Sequence, residues 1–488
     1  MLVPSDEALT DYWENGAGRV LKDYYGTWEK VPDDVIVSLI NNNMLSSFIA
    51  SVPSKFTGIL NDANEPMGVT REAIDSVWLG CNGAVYQTNR VYSPTAYVSV
   101  SFPALINQTM KVIDWGIKQN QYNVYLNSLN STYSFFLPTN NALLEYVDPC
   151  SYGKPQTQLF RFFYDETKPV QERVWASVRM YDTATGEISA DSTIVRDYYT
   201  IKNRLKDILD THIVIGNVED GNTYYRTKGY TELKVNDVEK GYNGMTVEGS
   251  YQINEGEPIP VSFIYDQTKG GNGKTYILES QPIMGTRMTV HDILAQHEEF
   301  SKFLELMDGS GLFEQIHDGH ASPGLNIGSF NTYHYTVYVP TNESIEELQL
   351  QGKLPTWEQV EAHAEMGNLA AKTADSLRIV NFLKYHIQDN ALFIGAAAER
   401  GDFETAVISP QTGRFLRLNA VLDDSGITLR DNAGNTRFVE TSDPTLYNLM
   451  AREYLYDSSD ASNAGNIYTS SSAVVHLINK PLDTGEIQ

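Results

Sequence analysis

The chain repeats one short pattern three times: an apolar, strand-like run reaches a proline, a Ser or Thr follows, and a helical pattern begins. The copies read LVPSDEAL at residues 2–9, FFLPTNNALLEY at 135–146 and YTVYVPTNESIEEL at 335–348. Proline has no N–H and ends sheet pairing, whereas Ser and Thr favour the N-cap of a helix. A pattern that occurs three times, each time together with other matching segments, indicates an internal repeat. We call this pattern the box, and its residues are Pro4, Ser5, Pro138, Thr139, Pro340 and Thr341.

The second landmark is a helical segment with apolar residues at i, i+3 and i+4 and a polar residue at i+7. The polar residue is Asn43 in the first copy, His212 in the second and His386 in the third. Position i+7 shares a helix face with the apolar residues, so each polar side chain is expected to point into the core. A metal ligand or a base is one interpretation of the histidines. A hydrogen-bonded core residue is the favoured one, because buried polar groups are rarely unpaired and Asn43 cannot act as a base.

The third landmark is a closing strand that ends near a proline, and it divides the chain. The three closing segments lie at 82–94, 274–284 and 471–482, which predicts domains at 1–94, 95–285 and 286–488. Residues 110–129 align without a gap to 288–307, just before the second and third boxes. The first box has no such segment before it, so we expect the first domain to be N-terminally incomplete.

Composition limits the classes of partner. A chain of 488 residues suggests about three domains. Its net charge of −26 makes nucleic acid, anionic lipid and sulfated polysaccharide poor partners, because these need clustered Lys and Arg. No run of 18 apolar residues is present, so no transmembrane segment is predicted. The spacing of Cys81 and Cys150 suggests no disulfide.

No motif for catalysis, cofactor or metal is persuasive. The segment KGGNGKT at 269–275 lacks the first glycine of a phosphate-binding loop and leads into a strand pattern. His317 and His320 flank an aspartate, but a third ligand is not identifiable, and a solvated loop is the better interpretation. No nucleophile motif occurs. We therefore predict a protein that is not an enzyme and holds no cofactor or metal.

The box, the apolar helix that ends in His and the closing segment VVHLINKPL together resemble the fasciclin-like (FAS1) domain family. The resemblance covers essentially the whole chain and is clearest in the third copy, where LRIVNFLKYHIQDN matches the family's Tyr-His pair at Tyr385 and His386. The second copy has Thr211 before its histidine, and the first has Asn42 before Asn43. The long insertions are most similar to exported members from Bacteroidota. The resemblance implies an α+β fold of tandem domains, each a wedge of two small β-sheets with packed helices.

The resemblance also implies a function. We expect a non-catalytic cell-surface or secreted protein that mediates adhesion or binds a protein or glycan ligand. The alternative is an accessory lipoprotein subunit of an outer-membrane nutrient uptake complex, with a transporter as partner. Either function implies an extracellular location at the bacterial cell surface, with a lipid anchor supplied by a segment outside this sequence.

Glycan capture would need exposed aromatic platforms, and inserted segments are where such specificity is expected to lie. The first copy carries an aromatic insertion at residues 12–34. The candidate ligand-binding residues are Trp13, Tyr24, Tyr25, Trp28, Tyr385 and His386.

Overall fold

The computed structural model describes residues 1–45, 53–60, 66–152, 157–182, 184–317, 320–327, 334–456 and 466–485. The fold is α+β, as the sequence predicts, with helices packed beside several β-sheets. Each sheet draws its strands from only one of the three predicted segments. The chain is therefore described as three units, 1–94, 95–285 and 286–488.

The first unit has a sheet of three strands in the order β1-β3-β2. Its helices precede the sheet's second and third strands in the chain. The elements among its described residues are β1 (Leu2–Pro4), α1 (Asp6–Glu14), α2 (Arg19–Tyr25), α3 (Asp33–Asn42), β2 (Ile74–Gly80) and β3 (Gly83–Thr88).

The second unit has two sheets. One has seven strands in the order β10-β11-β12-β13-β14-β4-β9, and the other has four in the order β5-β6-β7-β8. The helices are α4 (Thr95–Val98), α5 (Phe102–Ile106), α6 (Lys111–Gln119), α7 (Tyr122–Leu126), α8 (Tyr198–His212) and α9 (Ser250–Glu255). The strands are β4 (Tyr133–Pro138), β5 (Tyr146–Val147), β6 (Thr157–Tyr164), β7 (Val174–Tyr181), β8 (Ile188–Val195), β9 (Ile213–Ile215), β10 (Tyr224–Arg226), β11 (Glu232–Asn236), β12 (Thr246–Gly249), β13 (Ile259–Gln267) and β14 (Gly273–Leu278).

The third unit has a sheet of ten strands in the order β15-β16-β23-β24-β17-β18-β19-β20-β21-β22. The helices are α10 (Val290–Gln296), α11 (Ser301–Ser310), α12 (Asn342–Leu350), α13 (Trp357–Glu365) and α14 (Leu369–Tyr385). The strands are β15 (Phe313–His317), β16 (His320–Ile327), β17 (His334–Pro340), β18 (Ile387–Asp389), β19 (Glu399–Ile408), β20 (Phe415–Asp423), β21 (Gly426–Arg430), β22 (Thr436–Phe438), β23 (Leu449–Tyr456) and β24 (Ile467–Ile478). Residues 318 and 319, between the two histidines considered for a metal site, lie outside the described residues.

The box strand pairs in parallel with the closing strand in every unit. Pro4 is the partner of Thr88, Pro138 of Leu278 and Pro340 of Ile478, and each pairing ends at the proline. A parallel pair needs a crossover connection, and here the crossover carries the helix with the polar residue. An antiparallel strand then flanks the closing strand in each unit, namely β2, β13 or β23. The three units thus share one strand arrangement.

The segment after the box differs between units. Ser5 caps α1, because its Oγ accepts a hydrogen bond of 3.2 Å from the amide of Ala8. Thr139 accepts one of 3.3 Å from Ala142, but only a 3-10 turn follows, since the chain re-enters a sheet at β5. The prediction of a cap at Thr341 is wrong. Its side chain makes no capping bond, and its backbone carbonyl instead accepts the hydroxyl of Ser344 at 2.8 Å.

Buried contacts link the units. The largest core cluster runs from Tyr12 and Trp13 in the first unit, through the second, to Tyr454 in the third. Between the second and third units, Arg452 and Asp207 form a buried ion pair at 2.5 Å. The predicted boundaries therefore separate sheets, while the core continues across them.

Candidate binding groove

The aromatic insertion of the first unit lies against the second unit. Trp13 is 7% exposed and stacks on Trp28 with ring centroids 4.3 Å apart. The hydroxyl of Tyr24 accepts a hydrogen bond of 3.3 Å from the amide of Gln108, and Tyr25 is half-buried against the same core. These rings fill the contact between two units. Their role in ligand binding stays a prediction.

The Tyr-His pair of the third unit is fully buried. The hydroxyl of Tyr385 donates to the carbonyl of Arg417 at 3.2 Å and accepts from the amide of Asn432 at 2.9 Å. His386 is 0% exposed, and both of its ring nitrogens are bonded to backbone. A ligand would reach this pair only after a change in conformation, and its binding role also stays a prediction.

His212 occupies the equivalent position in the second unit. Its Nε2 accepts a hydrogen bond of 2.9 Å from the amide of Ile283, so the proton sits on Nδ1, which donates to the carbonyl of Ile208 at 2.5 Å. Burial lowers the pKa of His212 to about 3. An imidazole that is neutral and bonded on both sides has no free nitrogen for a metal or a proton transfer.

An open groove lies on the second unit between the box and the inserted four-stranded sheet. We call it the groove. It has two adjoining parts, of about 790 Å³ and about 580 Å³. Both volumes lie within the range of about 300–1,000 Å³ that is typical of small-ligand sites. Its residues are Gln108, Thr109, Lys111, Asp114, Lys118, Asn140, Asn141, Leu144, Phe162, Phe163, Tyr164, Asp165, Glu166, Thr167 and Arg173.

One wall of the groove is aromatic. Phe163 is 36% exposed and stands opposite Trp175 in the antiparallel pair β6–β7. The two rings stack with centroids 4.6 Å apart and planes 23° apart. The guanidinium of Arg196 lies over the Trp175 ring at 5.1 Å. The ring of Phe163 is therefore held in place on a sheet while part of its surface faces solvent.

The other wall comes from the segment before α6 and from the box. Asn140 is fixed there, since its Oδ1 accepts from the amide of Val112 at 3.0 Å and its backbone amide donates to the carbonyl of Thr109 at 2.6 Å. Asn141 is exposed, and its Nδ2 donates to the carbonyl of Glu279 at 2.9 Å. The second box thus builds this wall as well as ending its strand.

Charged side chains of both signs line the groove. Lys111 donates to the carbonyl of Leu105 at 2.7 Å, and burial lowers its pKa. Asp114 is buried beside Lys118 at 2.8 Å, and burial raises the pKa of Asp114. Hydrogen bonds from the hydroxyl and amide of Thr167, at 2.6 Å and 3.0 Å, lower the pKa of Asp165. These carboxyl and amino groups can accept and donate hydrogen bonds.

The groove offers carboxyl, amino, amide and hydroxyl groups to a ligand. Its lining contains no histidine, cysteine or serine. Within the part of the chain that the structure describes, no group of three or more His, Cys, Asp or Glu could hold a metal ion. Another groove, of about 690 Å³ on the β19–β20 hairpin, offers the ring of Phe415 beside Arg414 and Arg417 but no amide side chain.

None of the groove residues is among the binding residues that the sequence predicts. The run Phe162-Phe163-Tyr164 was a signal, because successive strand residues face opposite sides and one of two adjacent phenylalanines is then turned outward. Phe162 is 1% exposed, whereas Phe163 is 36% exposed.

No helix among the described residues has the length and apolar character to cross a membrane.

No model of a known protein family matches the chain, and no curated protein matches it. One solved structure that it resembles is a FAS1 domain pair from the insect cell adhesion molecule fasciclin I. The identity is 13%, the match covers 78% of this chain and 99% of the other, and the TM-score is 0.26.

Proposed function

We propose that the chain is a non-catalytic protein of the fasciclin-like type that binds a ligand at the cell surface, in adhesion or in ligand capture. The observation that carries the proposal is the groove. It is open, lined by aromatic, amide and charged side chains, and built partly by a sheet that is inserted after the second box. Inserted segments on a repeated scaffold are where binding specificity commonly lies.

The shared strand arrangement supports the proposal that the chain consists of repeated domains. In all three units the box strand pairs in parallel with the closing strand, and a helix with a core-facing polar residue lies in the crossover. Fold alone does not determine function, so the argument for binding rests on the groove's residues.

The test uses the full chain immobilised on a sensor surface. Solubilised surface proteins and oligosaccharides are passed over it, and each retained ligand is recovered for mass analysis. Reversible binding, with the ligand recovered unchanged, is expected. Release of a chemically altered ligand would show turnover and contradict the proposal, as would the absence of binding to either class.

The uptake-complex alternative is distinguished by its partner. Because such a subunit works with a transporter, the chain would co-purify with one from detergent-extracted membranes. Binding of free ligand without a transporter favours adhesion or display.

A further inference from the structure

We infer that the groove is a site for a neutral carbohydrate chain, with Phe163 as the ring against which a sugar packs. The inference rests on the proposed function and names its ligand class. Three features of the groove carry it: a rigid ring, hydrogen-bonding groups of both kinds, and a balance of charge.

The ring is pre-organised. Cross-strand pairing places Phe163 opposite Trp175, and their stacking at 4.6 Å leaves Phe163 36% exposed. Rigid aromatic side chains give a large contact area at a low cost in conformational entropy. The C–H face of a sugar ring is apolar and flat enough to pack on such a ring, while its hydroxyls point outward to the groove's edges.

The polar residues can serve hydroxyl groups, each of which is both a donor and an acceptor. Gln108 and Asn141 are exposed amide side chains, and Glu166 is an exposed carboxylate. The hydroxyl of Thr109 donates to Asn107 at 2.8 Å and so retains its lone pairs for a ligand donor. Gln108, Thr109 and Asn141 therefore offer donors and acceptors on the wall opposite Phe163, and Glu166 offers acceptors from the turn between β6 and β7.

Charge selects against an anionic ligand. The cations of the groove are Lys111, Lys118 and Arg173, and they are matched in number by Asp114, Asp165 and Glu166. The chain as a whole carries −26. A sulfated or phosphorylated ligand would meet no excess of positive charge here. An uncharged polyol does not need one.

The aromatic insertion of the first unit serves a different contact. Trp13 is buried, and the hydroxyl of Tyr24 accepts a hydrogen bond from the backbone amide of Gln108, a residue of the groove. Tyr24 thus contacts one residue of the groove, while Phe163 on β6 is the ring assigned to the sugar.

The experiment screens the full chain against an array of neutral, sialylated and sulfated oligosaccharides, and then measures affinity by calorimetry. Binding to a neutral oligosaccharide is expected. Phe163→Ala should weaken it by about tenfold, equivalent to about 1.4 kcal/mol, and Phe163→Tyr should retain it. Phe438→Ala is the matched control, because Phe438 is an exposed phenylalanine, 49% exposed, on β22 of the third unit. Thermal unfolding of each variant checks the fold, and Asn141→Ala, an exposed change on the opposite wall, tests the groove if Phe163→Ala unfolds.

The outcomes separate this inference from the proposed function. Retention of a protein ligand with no oligosaccharide binding would overturn the inference and leave the proposed function standing. Binding confined to sulfated or sialylated glycans would overturn it, as would neutral-glycan binding that both Phe163→Ala and Asn141→Ala leave unchanged. Failure to bind either ligand class would overturn both.

Discussion

His386 Nε2 accepts a hydrogen bond of 3.0 Å from the backbone amide of Leu482, and its Nδ1 donates to the carbonyl of Phe382 at 2.7 Å. The imidazole thus joins its own helix to the segment that follows the closing strand. His212 bonds Ile208 and Ile283 in the same way. In the first unit, Nδ2 of Asn43 donates to the carbonyls of Leu39 at 2.9 Å and Tyr92 at 2.7 Å. In all three units the polar side chain bonds the carbonyl four residues earlier and the end of the unit.

The first prediction concerns the stability of the third unit. His386→Ala should lower the free energy of unfolding by about 1–3 kcal/mol, because the buried amide of Leu482 loses its acceptor. His386→Asn should recover part of the loss, since an amide side chain can both accept and donate. His363→Ala, at a partly exposed histidine, is the control. Chemical denaturation measures all three. A His386→Ala variant that unfolds like wild type but loses ligand binding would show a functional residue instead.

The second prediction is an acid dependence. Burial lowers the pKa of His386 to about 4 from its ordinary 6.5, so the unfolded chain binds the proton more tightly. Its contribution to stability is complete above about pH 6.5 and is lost as the pH falls toward 4. Since one pKa unit is about 1.4 kcal/mol, the loss is of the order of 3 kcal/mol. Denaturant titrations between these pH values should show a smaller loss for His386→Asn. Equal losses in variant and wild type would contradict a buried neutral imidazole.

The third prediction is a loss of stability as the pH rises, the opposite of the dependence expected for His386. Burial raises the pKa of Glu453 to about 7, and the amide of Ile327 donates to its Oε1 at 3.0 Å. The folded state holds this proton above the ordinary pKa, so the stabilisation is complete below about pH 4.5 and is lost as the pH rises through 7. Glu453→Gln cannot ionise, and its melting temperature relative to wild type should rise between pH 5 and pH 8. Glu404→Gln, at an exposed carboxylate, should show no such trend. A constant difference for Glu453→Gln would mean that Glu453 is ionised throughout.

The repeated landmarks were predictable because each has a local cause. A proline ends a strand, and a residue at i+7 shares a helix face with apolar residues at i, i+3 and i+4. At Thr341 the side chain makes no capping bond, and the amide of Ser344 donates to the backbone carbonyl of Thr341 at 3.0 Å, a difference that the box pattern does not predict. The groove was not predictable, since it joins residues near 108, 140, 163 and 173 that only the folded second unit brings together. Asp207 and Arg452 are 245 residues apart in the chain, and no periodic sequence pattern indicates that they pair.

The fourth prediction concerns that ion pair. Asp207 and Arg452 are 9% and 3% exposed and join the second and third units. Asp207→Ala should lower the free energy of unfolding by about 3–5 kcal/mol, because it removes the carboxylate that pairs with the buried charge of Arg452. The double variant Asp207→Leu with Arg452→Met should lose much less. Asp23→Ala, in an exposed pair with Arg19, is the control. Asp207→Leu and Arg452→Met are also measured singly, and a double variant whose loss equals the sum of these two losses would show that the two charges do not interact.

The independence of the two larger units depends on this interface. Fragments 95–285 and 286–488 are predicted to fold separately, each with a cooperative transition. Because an isolated fragment lacks the buried contacts between the units, each fragment should be less stable alone than when the two are mixed. Denaturant unfolding of each fragment alone, and of the two fragments after mixing, measures this difference in stability. If neither fragment folds alone, the two units form one core.

The fifth prediction is that the first unit is the least protected from hydrogen exchange. Its sheet has three strands, and no other strand among the described residues pairs with the outer edge of β2. That strand exposes Val77, Trp78 and Leu79 at 49%, 54% and 76%. In the other two units the equivalent edges, of β13 and β23, are covered by β12 and β16. Amides on open edges with little buried apolar contact open at low cost in free energy.

Mass-spectrometric exchange on the full chain should therefore show faster labelling in β2 and β3 than in β14 and β24. Trp78→Thr should leave the exchange of β14 and β24 unchanged, because the ring lies outside those cores. Protection of β2 and β3 equal to that of β24 would mean that the first sheet is covered in solution.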